Sequence, residues 1–288
     1  MASIIKGIGG INMAIKLLAL DMDGTVLQND AISVSQRNLR AIKTAIQSGV
    51  AVTYCTGRMR HRLPTALLEG APEIQYAVTS NGASVLEMHT GKLLYSDGFP
   101  QKLAGDLATA LSGYPIPVDV YCNGYNYCEQ RAADCIQALP ISPSRIQEAM
   151  RGRIVVPDLP QFLYTTSLLI EKINLYSVPE ACRKQVWQLL ECTEGIRVTS
   201  SFAGNMEINV STATKAHGLA HLGAYLGISA EETMAIGDNQ NDLEMLHYAG
   251  LPVAMGNSTP EVLEQIPTVT GTNQEDGVAQ AIERFILH

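Results

Sequence analysis

The chain has 288 residues, 46% of them hydrophobic and 17% charged, with a net charge of −8. This is a globular composition, long enough for one or two domains around a sizeable core. The acidic balance excludes a nucleic-acid backbone as the main partner, since such binders carry a basic patch, and no apolar run reaches the length of a membrane span. Six cysteines occur: Cys55, Cys122, Cys128, Cys135, Cys182 and Cys192. None forms Cys-x-x-Cys or a zinc-site spacing, so they read as reduced thiols of a cytoplasmic protein. Cys122 and Cys128 are close enough to pair across a hairpin, but nothing in the sequence requires it.

Lys6 followed by Ile8–Leu20 has the outline of a signal peptide. Cleavage near its end would remove the strand that precedes Asp21, and the reading is rejected on that ground. Met13 is a candidate natural start, with residues 1–12 an N-terminal extension. Ile15–Leu20 reads as a buried opening strand. Ser35 is a plausible N-cap for a helix carrying Leu39, Ile42 and Ile46 on one face, and Gly49 is its stop. Val50–Cys55 is a second strand and Tyr76–Thr79 a third, with a helix between them interrupted early by Pro64. Strands separated by helices imply right-handed crossovers and a parallel, doubly wound sheet.

The middle has another rhythm. Ala83–Tyr95 reads as a hairpin turning at Thr90-Gly91, and a helix runs from Gln101 to Leu111. Val118–Glu129 alternates, with Asn123-Gly124 as its turn. Ala133–Leu163 is proline-rich and hard to read. A strand over Leu168–Tyr176, a helix over Pro179–Glu191 and a strand pair over Ile196–Asn209 complete a mainly antiparallel α+β insert. The strand–helix alternation then returns: helix Thr214–Leu226, strand Thr233–Ile236, helix Leu243–Ala249, strand Leu251–Met255, helix Pro260–Gln265, a short strand at Thr268–Thr270, and helix Gly277–Leu287.

Four polar clusters stand just after strands or at helix starts. In an open parallel sheet the carboxyl ends of the strands form the crevice where ligands bind. Asp21 and Asp23 open the series, in Asp21-Met-Asp23-Gly24-Thr25. An extended backbone would send the two carboxylates to opposite faces, so a turn must begin near Asp21. Thr56-Gly57-Arg58 follows the second strand, Lys215 starts a helix, and Gly237-Asp238-Asn239-Gln240-Asn241-Asp242 follows a late strand. Several carboxylates at one point make a hard-oxygen site of the kind Mg²⁺ accepts. Lys215, the Thr56 hydroxyl and backbone N–H groups suit a phosphoryl group, whose equatorial oxygens need several donors. Taken singly, each piece has a plainer reading. Asp-x-Asp occurs in calcium loops, Lys215 alone is a solvated charge, Thr56-Gly57 an ordinary turn, Asp238 a helix cap and Asp242 surface charge. The argument rests on the whole set arriving in this order at strand ends.

With these motifs the chain resembles the haloacid dehalogenase (HAD) superfamily, and Ser80-Asn81-Gly82-Ala83, Ala254-Met255-Gly256-Asn257 and Asp276-Gly277-Val278-Ala279 resemble its Cof-type sugar-phosphate phosphatases. The resemblance spans Met13 to His288. It implies an α/β fold: a Rossmann-like core of residues 13–83 and 206–288, with an α+β cap of residues 84–205 that sets substrate specificity. It implies a phosphatase in which Asp21 attacks phosphorus and becomes an aspartyl phosphate, while Asp23 protonates the leaving alcohol and then deprotonates water. Mg²⁺ is expected on Asp21, the Asp23 carbonyl and Asp238. Thr56, Gly57, Arg58, Asn81, Lys215 and Asn241 are expected around the phosphate, with Asp242 supporting the metal or binding Lys215. One departure is Ala216, where glycine is commoner after this lysine.

Weaker signals complete the reading. Tyr121, Asn123, Tyr125 and Tyr127 either line a substrate pocket in the cap or form cross-strand pairs. Arg58 and His61 face the cap or the surface. His217 and His221 have the spacing of a metal pair but no third ligand. The leading expectation is a cytoplasmic, Mg²⁺-dependent phosphatase of a small phosphorylated metabolite such as a sugar phosphate. A phosphomutase and a non-catalytic phosphometabolite sensor are the alternatives. The cap is expected to move on crossings near Gly82-Ala83 and Gly204-Asn205. Oligomeric state and physiological substrate stay open.

Overall fold

The computed structural model describes residues 14–139, 142–200 and 204–287; the expected N-terminal extension lies outside them. The first part of the chain forms β1 (Leu17–Leu20), α1 (Gln36–Gln47), β2 (Ala51–Cys55), α2 (Thr65–Gly70), β3 (Tyr76–Thr79), β4 (Ser84–Glu87) and β5 (Leu93–Ser96). α1 begins where Ser35 Oγ accepts from the Asn38 amide at 3.0 Å, and buries Leu39, Ile42 and Ala45. The middle forms α3 (Gln101–Ser112), β6 (Val118–Cys122), β7 (Tyr125–Cys128), α4 (Gln130–Gln137), α5 (Pro143–Met150), β8 (Arg153–Val155), α6 (Leu159–Thr165), β9 (Ile170–Leu175), α7 (Glu180–Glu191), β10 (Ile196–Thr199) and β11 (Met206–Val210). The end forms α8 (Lys215–Leu226), β12 (Thr233–Gly237), α9 (Leu243–Tyr248), β13 (Leu251–Ala254), α10 (Pro260–Gln265) and α11 (Gly277–Phe285). The short strand expected at Thr268–Thr270 is reduced to one bridge, Val269 on Ala254.

Two sheets result. The first has seven strands in the order β13-β12-β1-β2-β3-β4-β5, parallel up to β3 and antiparallel beyond it. Its central strands are buried and largely apolar on both faces, because helices cover both. Leu18, Leu20, Val52 and Tyr54 pack in one layer with Ile42 of α1 and Ile282 of α11; Leu17, Ala19 and Val78 pack in the other with Leu219 of α8 and Leu246 of α9. The second sheet has six strands in the order β10-β11-β9-β6-β7-β8.

Pairing draws the border differently from the expected 83/84 and 205/206. The β4–β5 hairpin hydrogen-bonds onto β3 and extends the first sheet, with Val78 opposite Val85. At the other end β11 pairs with β9 and β10 and belongs to the second sheet. A strand goes where its backbone groups find partners, and a turn in the sequence does not reveal which edge that is. The chain therefore crosses between sheets just after Ser96 and just after Val210.

The second sheet is two-faced. Val118, Val120, Ile173, Leu175, Met206, Ile208 and Val210 alternate inward to a core shared with Leu107 of α3, Leu163 of α6 and Val186 of α7. The intervening residues are polar: Asp119, Asn126, Lys172, Asn174, Glu207 and Asn209, all buried. They are buried because this face covers the strand-end loops of the first sheet. Lys172 Nζ donates to the Gly57 carbonyl at 2.5 Å, and Asn209 Nδ2 to the Ser80 carbonyl at 2.9 Å. Arg151 Nη2 reaches the Leu63 carbonyl at 2.7 Å, and the His61 amide donates to Gly124 at 3.2 Å.

Candidate active site

The register of the first sheet assembles the site. Leu20 lies beside Tyr54 on one side and Ile236 on the other. Asp21, Thr56 and Asp238 follow these residues by one or two positions, so three neighbouring strand ends deliver them to one crevice. After Asp21 the backbone makes an irregular turn, with Asp23 at ψ 117° and Gly24 at φ 82°. Gly24 is required there twice over: the conformation is left-handed, and a Cβ would collide with the Asp238 carboxylate.

Lys215 is the hub. Its Nζ donates to Asp21 Oδ1 at 2.5 Å and to Asp242 Oδ1 at 2.6 Å, and the side chain is buried. Carboxylate oxygens of Asp21, Asp238 and Asp242 all lie within 4.8 Å of one another. Asp242 is fully engaged, its Oδ2 accepting from the backbone N–H groups of Asp238 and Asn239 at 3.0 Å each. Asp238 Oδ1 accepts from the Thr25 hydroxyl at 2.9 Å. Asp21 and Asp238 thus each keep one oxygen outside these contacts. Gly82, at φ 97°, seats the start of α8, because a Cβ would strike the Thr214 carbonyl.

One ammonium serves three buried carboxylates, and the charge imbalance shows in their titration. Burial, then Asp242, pushes the Asp21 carboxyl well above its usual range against the pull of Lys215. Burial and Asp242 push Asp238 up to about 7. Burial works against the Lys215 ammonium, but Asp21 and Asp242 outweigh it and hold its pKa above the ordinary lysine value. Hard oxygen donors with surplus negative charge, closely spaced and buried, fit a divalent cation of the Mg²⁺ class.

On the other side of Asp21 stands Arg58. Its Nε and Nη2 donate to Asp23 Oδ2 and Oδ1 at 2.8 and 2.5 Å. Burial raises the Asp23 carboxyl, yet Arg58, with Arg62 and Lys215, holds it below the usual carboxylate range. Thr56 is buried, and its hydroxyl accepts from the Arg58 amide at 3.1 Å. Asn81 points to the second sheet: its Nδ2 donates to Glu207 Oε2 at 2.7 Å and Asn209 Oδ1 at 3.1 Å. Asn241 Nδ2 reaches Asn81 Oδ1 at 3.5 Å. Gly57 packs against Asn81 and Glu207. Behind Lys215 a cavity of about 140 Å³ is lined by Asn81, Asn209, Gln240, Asn241 and Arg197 among others. An Arg197–Glu244 ion pair links β10 to α9.

Sequence reasoning missed Lys172, Glu207 and Asn209, which meet these loops from the second sheet. Lys172 Nζ bonds Glu207 Oε2 at 2.9 Å and lies 4.7 Å from the Tyr121 ring centre. Thr25 and Asn257 were also missed as contacts; Asn257 Nδ2 donates to the Gly24 carbonyl at 2.8 Å. Of the weaker signals, Tyr125 stacks on His61 and Tyr127 on Phe162, while Asn123 Oδ1 accepts from the Leu169 amide at 2.9 Å. His221 stacks on Tyr95, and His217 Nδ1 contacts the Thr212 carbonyl, so these histidines go to different partners. Cys122 and Cys128 are free thiols. Among the described residues no helix is long and apolar enough to cross a membrane.

Comparison with known proteins agrees with this geometry. The family model described as haloacid dehalogenase-like hydrolase matches residues 18–282. A 5-amino-6-(5-phospho-D-ribitylamino)uracil phosphatase of Bacillus subtilis, YcsE, is 31% identical over 279 residues, covering 95% of this chain and 96% of the relative. A haloacid dehalogenase-like hydrolase structure from B. subtilis superposes with a TM-score of 0.81 at 27% identity, over 93% of this chain and 99% of that one. BT1666 of Bacteroides thetaiotaomicron, a phosphatase of the superfamily, gives 0.76 at 25% identity, over 98% of each. A family model spanning most of the chain, full-length relatives and a matching pair of sheets lead to one conclusion: the chain belongs to the haloacid dehalogenase-like hydrolases and is a phosphatase of that family.

Proposed function

We propose that this phosphatase hydrolyses a small phosphorylated metabolite of the sugar or polyol class through an aspartyl phosphate on Asp21, with Mg²⁺ as its cofactor. The observation that supports it best is the Lys215 bridge between Asp21 and Asp242, with Asp238 alongside. The similarity to a phosphatase of a phosphorylated ribityl chain points the same way.

Asp21 has one carboxylate oxygen outside the Lys215 contact, and this oxygen is the nucleophile. It bonds to phosphorus as the bond to the leaving oxygen breaks. Lys215 holds Asp21 in place and offsets the repulsion between carboxylate and phosphate. Asp23, once Arg58 withdraws and the carboxyl takes up a proton from solvent, hands that proton to the departing alkoxide, then takes one from the water that cleaves the aspartyl phosphate. Both Asp23 oxygens accept from Arg58 in this structure, so Arg58 must yield one before the leaving oxygen can bond there. Thr56, Gly57 and Asn241 border the phosphate position. Asp21, Asp238 and the Asp23 carbonyl would hold Mg²⁺, which when bound supplies neutralising charge for a phosphoryl group entering among carboxylates.

We assign the second sheet with its helices the part of a cap whose movement admits substrate. Purified protein is expected to release phosphate from p-nitrophenyl phosphate with added Mg²⁺ and to lose this activity with chelator. Isomerised sugar phosphate without phosphate release would overturn hydrolysis in favour of a mutase.

A further inference from the structure

Where the strand-end loops meet the second sheet, most buried cations have an acidic partner. Arg58 is bound to Asp23, Lys172 to Glu207, and Arg153 to Asp119 through both oxygens. Arg62 departs from this pattern. It stands one turn beyond Arg58, whose Nη1 contacts the Arg62 carbonyl at 3.4 Å. Its side chain reaches into the second sheet, where Nη1 donates to the Tyr176 hydroxyl at 2.8 Å. Among the described residues no carboxylate is within ion-pair distance of it, and its buried Nε has no hydrogen-bond partner. Asp119, whose field reaches Arg62, is already held by Arg153 and by Asn126 at 2.8 Å. Tyr121 and Tyr176 beside it are buried phenols whose pKa values burial pushes up; they stay neutral and do not balance it.

A half-buried guanidinium whose buried Nε is unsatisfied is costly unless something anionic arrives. The position is informative. Arg62 lies on the Asp23 side of Asp21, where the proton goes and where the alcohol half of the ester must sit. Resting on the phosphatase reading above, we propose that Arg62 receives a second acidic group on the leaving half of the substrate, so that the preferred esters are phosphorylated acids or bisphosphates. Planar Arg binds carboxylate and phosphate alike through a fork of N–H donors. The Tyr176 hydroxyl keeps the guanidinium aimed, and the Tyr121 hydroxyl bonds to Tyr176 behind it.

The test compares three esters in the Mg²⁺-supplemented enzyme: glucose 6-phosphate, 6-phosphogluconate and fructose 1,6-bisphosphate. The expected kcat/KM is at least tenfold higher for one or both acidic esters than for glucose 6-phosphate, and which of the two leads tells carboxylate from phosphate. In Arg62→Gln the acidic-to-neutral ratio falls at least tenfold, chiefly through KM, and Arg62→Lys restores part of it. Tyr176→Phe, which keeps the ring, lowers the ratio severalfold and serves if Arg62→Gln does not fold. Equal kcat/KM for acidic and neutral esters in the wild type, or an unchanged ratio in Arg62→Gln, overturns the assignment of Arg62. Absence of phosphate release from every ester overturns instead the hydrolytic reading on which it rests.

Discussion

The two sheets hold their polar groups in opposite ways. In the first, the parallel strands are largely apolar and the charged side chains of the candidate site wait at their ends, on turns. In the second, charges sit in mid-strand: Asp119, Lys172 and Glu207 alternate with Val120, Ile173 and Ile208. A parallel sheet covered on both faces has no room for charge except at its edges. An antiparallel sheet with one free face can carry a polar surface, and here that surface is pressed against the other sheet's loops. Chemistry is built at the ends of one sheet and covered by the face of the other.

Substitutions on the two sheets should therefore fail differently. The largest effect is expected at a strand end. Asp21→Asn should cut kcat by a factor of roughly 10⁴ with the fold retained, since it removes one of three crowded carboxylates; phosphate release and thermal unfolding read the two quantities. A large drop in stability with activity surviving would break the contrast. Next, Lys172→Met should destabilise by about 4 kcal/mol, because Glu207 is left buried without its cation. Pairing it with Glu207→Leu should recover much of that in urea unfolding, and failure to recover would show that Lys172 matters through Gly57 and not through its ion pair. Ile208→Ala, on the apolar side of the same strand, should cost about 3 kcal/mol through its cavity while leaving the KM for p-nitrophenyl phosphate unchanged.

The smallest effect concerns pH. Burial raises the Glu171 carboxyl above its ordinary value, against the Ser84 hydroxyl, the Gly124 amide and Lys172. The folded state thus holds the proton more tightly than the unfolded chain does. The associated stability is present below the unfolded pKa and is lost as pH rises through the folded pKa. Unfolding free energies of Glu171→Gln, measured from about pH 4 to pH 7, should gain on the wild type as pH rises. A difference that shrinks with rising pH would mean that the Glu171 hydrogen bonds favour the charged form more than burial opposes it.

Much of the first sheet was legible in the sequence, because its signals are local. Ser35 before a periodic apolar stripe, and Asp21, Thr56 and Asp238 straight after β-rich segments, each announce themselves within a few residues, as does the Asn123-Gly124 turn of the second sheet. The Ala133–Leu163 stretch, which holds α5, β8 and most of α4 and α6, was not legible, since its short helices and prolines carry no sustained period. Nor was the edge on which β4–β5 and β11 pair, which depends on partners distant in the chain. The polar face was hidden for a sharper reason. In Val118-Asp119-Val120-Tyr121 and Met206-Glu207-Ile208-Asn209, alternation reads as one wet side. Only the other sheet's loops turn that side into an interior, so nothing local singles out Lys172 or Glu207.

Part of the seam between the sheets is sewn to main-chain oxygens: Gly57 and Ser80 on one bank, Leu63 beside them, Gly124 across the gap. Every amino acid brings a carbonyl, so these stitches do not depend on the side chain at the accepting position. The oxygen of residue 63 stays available to Arg151 whatever side chain stands there.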